Sequence, residues 1–146
     1  MIIYTMGFTK KNAESFFELI KKNGIELLID VRLNNKSQLA GFTKSQDLAY
    51  FLNYICNCQY VHEPLWAPTK DILDRYKKKI ISWKEYEDEF YKLMVSRKIE
   101  MILKKKYATY EKVLLLCSEP TPEFCHRRLI AEYLKVHADD IIIRHL

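Results

Sequence analysis

Residues 113–128 read VLLLCSEPTPEFCHRR, and the order of residue types in this stretch decides the fold. Val113 to Cys117 is an unbroken apolar run, which is how a strand buried on both faces of a parallel sheet reads. Thr121-Pro122-Glu123 then offers an N-cap residue, a first-turn proline and a first-turn acid, so a helix is expected from near Pro122. A buried strand passing straight into a helix is half of a βαβ unit.

Working outward, the same alternation recurs. The first seven residues read as a strand, and Ala13, Phe16, Phe17 and Ile20 follow at the spacing of an amphipathic helix closed by Gly24. Leu27 to Arg32 is a second apolar run ending in charge. After a polar loop, Thr43 and Gln46 have capping-box spacing and open a helix with Leu48, Phe51, Leu52 and Ile55 on one face. Gln59–His62 is a short strand. Ser82 and Glu85 make a second capping box, and the helix behind them, with Trp83, Tyr86, Phe90, Leu93 and Met94 on one face, is expected to reach around Lys105. Ile141-Ile142-Ile143 is the last strand. Strands alternating with helices predict an α/β fold, a mainly parallel sheet flanked by helices in three layers. With 146 residues, 49% of them hydrophobic, one domain spanning 1–146 has enough apolar material for its core.

Composition narrows the function classes. No apolar run reaches the roughly 18 residues of a membrane span, and the start is too short for a signal-peptide core, so no membrane partner and a cytoplasmic location are expected. Four cysteines without a C-x-x-C pair then read as reduced thiols, with Cys56 and Cys58 as packing residues at a helix end. The formal net charge of +5 permits nucleic acid or a phosphate-bearing ligand. The lysine clusters at 77–79 and 104–106 read equally as solvated helix ends. No cofactor and no oligomeric state is read from the sequence.

Ligands of open parallel sheets sit beyond the carboxyl ends of the strands. The segments there are Gly7-Phe8-Thr9, Asp30-Val31-Arg32, His62-Glu63-Pro64 and Cys117-Ser118-Glu119, so separated segments bring the versatile residues to one edge. On the last long helix, Leu129, Ile130, Tyr133 and Leu134 define the buried face, and His126 falls within it. Arg127 lies on the flank, and Arg128 points outward, one turn from Glu132. Cys117 is therefore a candidate nucleophile, with His126 as its base, Glu119 assisting, and Arg32 or Arg127 holding an anionic, nucleotide-like substrate beside Asp30, Thr9 and His62. The alternatives stay open: an inert strand-end thiol with a core histidine, an Asp30–Arg32 ion pair that only orients a loop, and a non-catalytic nucleic-acid or phosphate-binding module. Cys117, Cys125, His126 and His62 offer soft and imidazole donors, but their spacing matches no structural zinc pattern, and no metal is expected.

Gly7-Phe8-Thr9, Ile29-Asp30-Val31-Arg32, Tyr60-Val61-His62-Glu63-Pro64 and the C-x-E-x5-C-H-R element from Cys117 to Arg127 together resemble the family called domain of unknown function 488. The resemblance implies an α/β sandwich with these motifs grouped at one end and no assigned reaction. A looser similarity is to rhodaneses and cysteine phosphatases, which carry Asp-Val-Arg after a buried strand and a cysteine at the end of a later one. Their cysteine is cradled by a short arginine-bearing loop. Here Glu119 and Glu123 follow it, and their carboxylates are expected to raise the thiol pKa.

Overall fold

The computed structural model describes residues 1–36 and 40–146. Five strands, β1 (Ile2–Gly7), β2 (Leu27–Asp30), β3 (Gln59–His62), β4 (Lys112–Cys117) and β5 (Ile142–His145), form one sheet in the order β3-β2-β4-β1-β5. Every pairing is parallel. Six α-helices accompany it among the described residues: α1 (Ala13–Asn23), α2 (Ser45–Cys56), α3 (Lys70–Lys77), α4 (Trp83–Arg97), α5 (Ile99–Ile102) and α6 (His126–Val136). None is long and apolar enough to cross a membrane.

The period-two alternation of strand side chains divides the core into two. Tyr4, Met6, Leu28, Leu114 and Leu116 point to one face, where they meet Phe16, Phe17 and Ile20 of α1 and Leu48 and Leu52 of α2. Ile3, Leu27, Ile29, Val113, Leu115 and Cys117 point to the other, under Tyr86, Phe90 and Met94 of α4 and Leu129, Ile130, Tyr133 and Leu134 of α6. This is the expected three-layer α/β sandwich. Because both faces are covered, β2 and most of β4 are buried at every position, which is why their sequences are continuous apolar runs.

Adjacent strands β2 and β4 send their connections to opposite faces, since α2 lies on the first and α6 on the second. That divergence opens a crevice beyond their carboxyl ends, the topological switch point at which α/β sheets bind ligands. Arg32 follows β2 and Cys117 ends β4, so both stand at its lip.

Local signals at helix ends were followed in part. Asn12 caps α1 by accepting from Ser15, Gly24 closes it at φ +63°, and Ser82 with Glu85 forms a complete capping box on α4. The Thr43–Gln46 box does not form. Thr43 instead closes a 3-10 turn over Gly41–Thr43, its hydroxyl donating to the Ala40 carbonyl, and α2 starts behind Lys44 without a side-chain cap. The polar loop before it lies partly outside the described residues, at 37–39. The helix expected to run to around Lys105 breaks at Lys98, which adopts the left-handed conformation at φ +52°. Arg97 beside it donates to the Leu65 and Ala67 carbonyls. The chain then continues as α5 and a π-helical turn over Leu103–Tyr107. The helix expected from near Pro122 begins only at His126, because Pro122 and Glu123 turn their carbonyls to the Cys125 N–H and the Arg128 guanidinium.

Candidate functional site

The loop leaving β4 passes directly over the end of β1. Gly7 is paired in register with Cys117, and a Cβ there would overlap the Glu119 carbonyl oxygen and stand 2.6 Å from its carbon. Only glycine lets the two backbones approach this closely. The loop is held from three sides: the Thr9 hydroxyl and the Thr9 N–H donate to the Ser118 carbonyl, Phe8 N–H donates to Cys117, and Arg127 Nη1 donates to the Glu119 carbonyl.

Cys117 is buried on the α6 face of the sheet and lies on the floor of a cavity of about 610 Å³. Arg32, Ser118, Glu119, Cys125 and His126 line the same cavity. Its outer wall comes from elsewhere: Asp74, Tyr76 and Lys77 of α3, Trp83 and Tyr86 of α4, and Phe124. Trp83 stacks on Tyr86 with centroids 4.7 Å apart and meets Phe124 edge-on at 5.6 Å, so the wall is largely aromatic.

Four of the expected site residues, Cys117, His126, Glu119 and Arg32, meet at this cavity. The others stand behind it. Asp30 is fully buried and takes the Arg32 guanidinium in a two-pronged ion pair, Nε to Oδ1 at 2.8 Å and Nη2 to Oδ2 at 2.7 Å. Tyr60 donates its hydroxyl to the same carboxylate at 2.7 Å, and Arg32 Nη2 also reaches the Thr43 carbonyl at 2.6 Å. His62 contacts the Arg32 carbonyl through Nε2 at 2.7 Å. Phe8 lies under the guanidinium, 5.2 Å from ring centroid to carbon. Arg32 is thus a fixed cation at the cavity edge. Arg128 pairs with Glu132 one turn on, as its spacing predicts.

His126 is the first residue of α6, and its Nε2 stands 2.7 Å from the Val31 carbonyl. A carbonyl can only accept, so Nε2 donates to it, and in the neutral tautomer this fixes, Nδ1 is the nitrogen left to accept. Cys117 Sγ lies 3.7 Å from Nδ1 and 3.8 Å from Nε2. A sulfur in line with the Nδ1 lone pair at this range would be roughly 6 Å from Nε2. The near-equal distances therefore put the sulfur off that line, against the ring rather than at the end of its lone pair.

The Cys117 thiol is nevertheless held below its usual 9.0. The first cause is the hydrogen bond from the Cys125 thiol; the Glu119 N–H, the Arg127 charge and the Ser118 N–H add to it, against burial that pushes the other way. The expected rise from the loop carboxylates is not what happens: Glu119 reaches the sulfur with its backbone N–H and keeps its carboxylate exposed. The other three thiols move up. Burial raises Cys56, raises Cys58 to about 12, and with the Cys117 contact raises Cys125 further still.

Arg127 has no exposed surface, and its Nε and Nη2 find no hydrogen-bond partner among the described residues. No carboxylate pairs with it there. Its Nη1 also contacts Cys125 Sγ at 3.4 Å. A buried charge without a counter-ion is costly, and thiolate at Cys117 offsets that cost.

Cys117, Cys125 and His126 place one donor atom each within 4.8 Å of one another, all buried. A zinc ion about 2.0 Å out along the Nδ1 lone pair would be about 4 Å or more from a sulfur placed this way, against a Zn–S bond of about 2.3 Å. As they stand, the three form a thiol–thiol–imidazole contact rather than a tetrahedral cage. The sequence pointed to Cys125 beside Cys117 only as one of four possible metal donors whose spacing matches no zinc pattern, and it gave no sign of the aromatic wall. Trp83 and Tyr86 read as core positions of α4, and nothing local signals that α3 closes over the crevice.

No curated protein and no solved structure matches this chain. The model of the family described as "Domain of unknown function DUF488" matches residues 12–134, from the cap of α1 to the last turns of α6 and across every cavity-lining residue. The chain belongs to the DUF488 family.

Proposed function

We propose that the protein is a cysteine-dependent enzyme acting on a small, nucleotide-like anionic substrate, with Cys117 as the nucleophile. The observation that carries this reading is the contrast among the thiols: of the two that line the cavity, Cys117 and Cys125, only Cys117 is drawn toward thiolate, and Cys56 and Cys58 lie across the sheet. A volume of about 610 Å³ is of the size that holds small ligands. Trp83, Tyr76 and Phe124 offer aromatic surface to a planar ring, and Lys77 offers positive charge to an anionic group beside the Asp30-paired guanidinium of Arg32, in a lining that also holds Asp74 and Glu119. The Cys117 sulfur attacks an electrophilic atom of the ring-bearing substrate, and as the sulfur–substrate bond forms the bond from that atom to its leaving group breaks, the leaving group departing with the electron pair and taking up a proton. His126 Nδ1, whose lone-pair line misses the sulfur, handles a substrate proton rather than the thiol's, and Glu119 assists from the mouth. Asp30, His62 and Thr9 act through others, the first two on Arg32 and the third on the Ser118 loop. Arg127 supports the thiolate from beneath.

Alkylation by iodoacetamide across pH, located by mass spectrometry, tests this. Cys117 should react first, with a midpoint below 9.0, and Cys56 only at higher pH. Cys117 reacting no faster than Cys56 sinks the nucleophile assignment and leaves the rival, a nucleic-acid or phosphate-binding module built on Arg32 and the lysine clusters. That rival predicts binding that weakens steeply with salt.

A further inference from the structure

Cys125 has no part in the reaction just described, yet it is buried at 2% exposure and its sulfur lies within 4.8 Å of the Cys117 sulfur. Both residues line the same cavity. The two sit on different supports. Cys117 ends a central strand, whereas Cys125 belongs to the turn before α6, outside any helix or strand, so the second sulfur can close on the first without disturbing the sheet. Cys56 and Cys58 lie on the opposite side of the sheet, against α1 and α2, and cannot compete.

We propose that Cys117 and Cys125 are a redox-active dithiol, oxidised by a hydroperoxide to a reversible disulfide that switches the site off. It rests on the reading of Cys117 as a reactive thiolate. In the first step the Cys117 sulfur attacks the terminal peroxide oxygen, the O–O bond breaks, and the leaving alkoxide or hydroxide takes a proton. Cys117 is now a sulfenic acid, oxidised by two electrons. In the second, Cys125 loses its proton and its sulfur attacks Cys117, the S–O bond breaks, and water leaves with that proton. An external thiol returns both to the reduced form. The protonated state favoured for Cys125 suits a resolving thiol, which must not compete for the oxidant.

The full chain is treated with hydrogen peroxide, its free thiols are blocked with N-ethylmaleimide, and the digest is mapped by mass spectrometry. A peptide linked through Cys117 and Cys125 is expected, lost on dithiothreitol, with Cys56 and Cys58 still blocked as free thiols. In Cys125→Ser the linked peptide vanishes, and a dimedone adduct on Cys117 rises by tenfold or more over wild type. The wild-type linkage needs no variant to fold. If Cys117 leads the iodoacetamide series but peroxide carries it to sulfinic acid in wild type as fast as in Cys125→Ser, the dithiol proposal is overturned while the nucleophile reading stands. If Cys117 does not lead that series, both fall. Protein that holds one zinc per chain and forms the link only after chelation would make the two cysteines metal ligands instead, and that also overturns it.

Discussion

A guanidinium with no exposed surface and no carboxylate beside it needs some other anion; the sulfur that Arg127 touches is that of Cys125, 3.4 Å from Nη1, and the guanidinium charge also lowers the Cys117 thiol. Its charge is felt further out too: after burial, it is the next cause that lowers Lys11 and His145. Replacing Arg127 with methionine keeps most of the volume and removes the charge. Cys117 should then return toward 9.0, and its alkylation at neutral pH should fall about tenfold for each unit regained, while the melting temperature changes little. An unchanged alkylation rate would mean that the N–H groups and Cys125 alone hold the thiolate. The position of Arg127 in the sequence predicted a flank residue free to bind substrate. What put it out of solvent is the loop crossing above it, which no helical wheel contains.

At the scale of elements, the strand-to-helix passage works because the loop after β4 lies flat on the end of β1. Gly7→Ala pushes a methyl group into the Glu119 carbonyl, and both partners are backbone, so relief requires the whole loop to move. A loss of about 1–3 kcal/mol in chemical denaturation is expected, with Cys117 no longer the fastest thiol. Wild-type stability together with wild-type Cys117 reactivity would mean that the loop moves freely and that the cradle is not what activates the sulfur. Most elements were legible from apolar spacing, because periods of 2 and 3.6 report directly which face is buried. Their ends were less so. Lys98 breaks a helix without a glycine or proline to mark it, and the Thr121-Pro122-Glu123 start signal was overridden when Arg128 captured the Pro122 and Glu123 carbonyls.

For the molecule as a whole, the thiols set opposite pH trends. Cys58 has its folded pKa raised to about 12 from 9.0, so its contribution to stability is complete below pH 9 and is lost as pH rises toward 12. Cys117, with its folded pKa depressed, contributes stability above pH 9 that is lost as pH falls through its folded value. Urea midpoints measured between pH 9 and 12 should therefore decline, and Cys58→Ala should flatten the decline; an equally steep one would remove Cys58 as a cause. The sequence by itself determined the α/β class, the run of buried strands and the edge where Cys117, Glu119, His126 and Arg32 meet, since burial periodicity and strand-end position are local properties. What needed the tertiary structure is that Arg127 lies under the loop, that the Cys125 sulfur comes within 4.8 Å of Cys117, and that α3 and α4 wall the cavity with aromatics. Those contacts join residues whose proximity depends on strand order and on which face each helix covers, and neither is written in the spacing of any one segment.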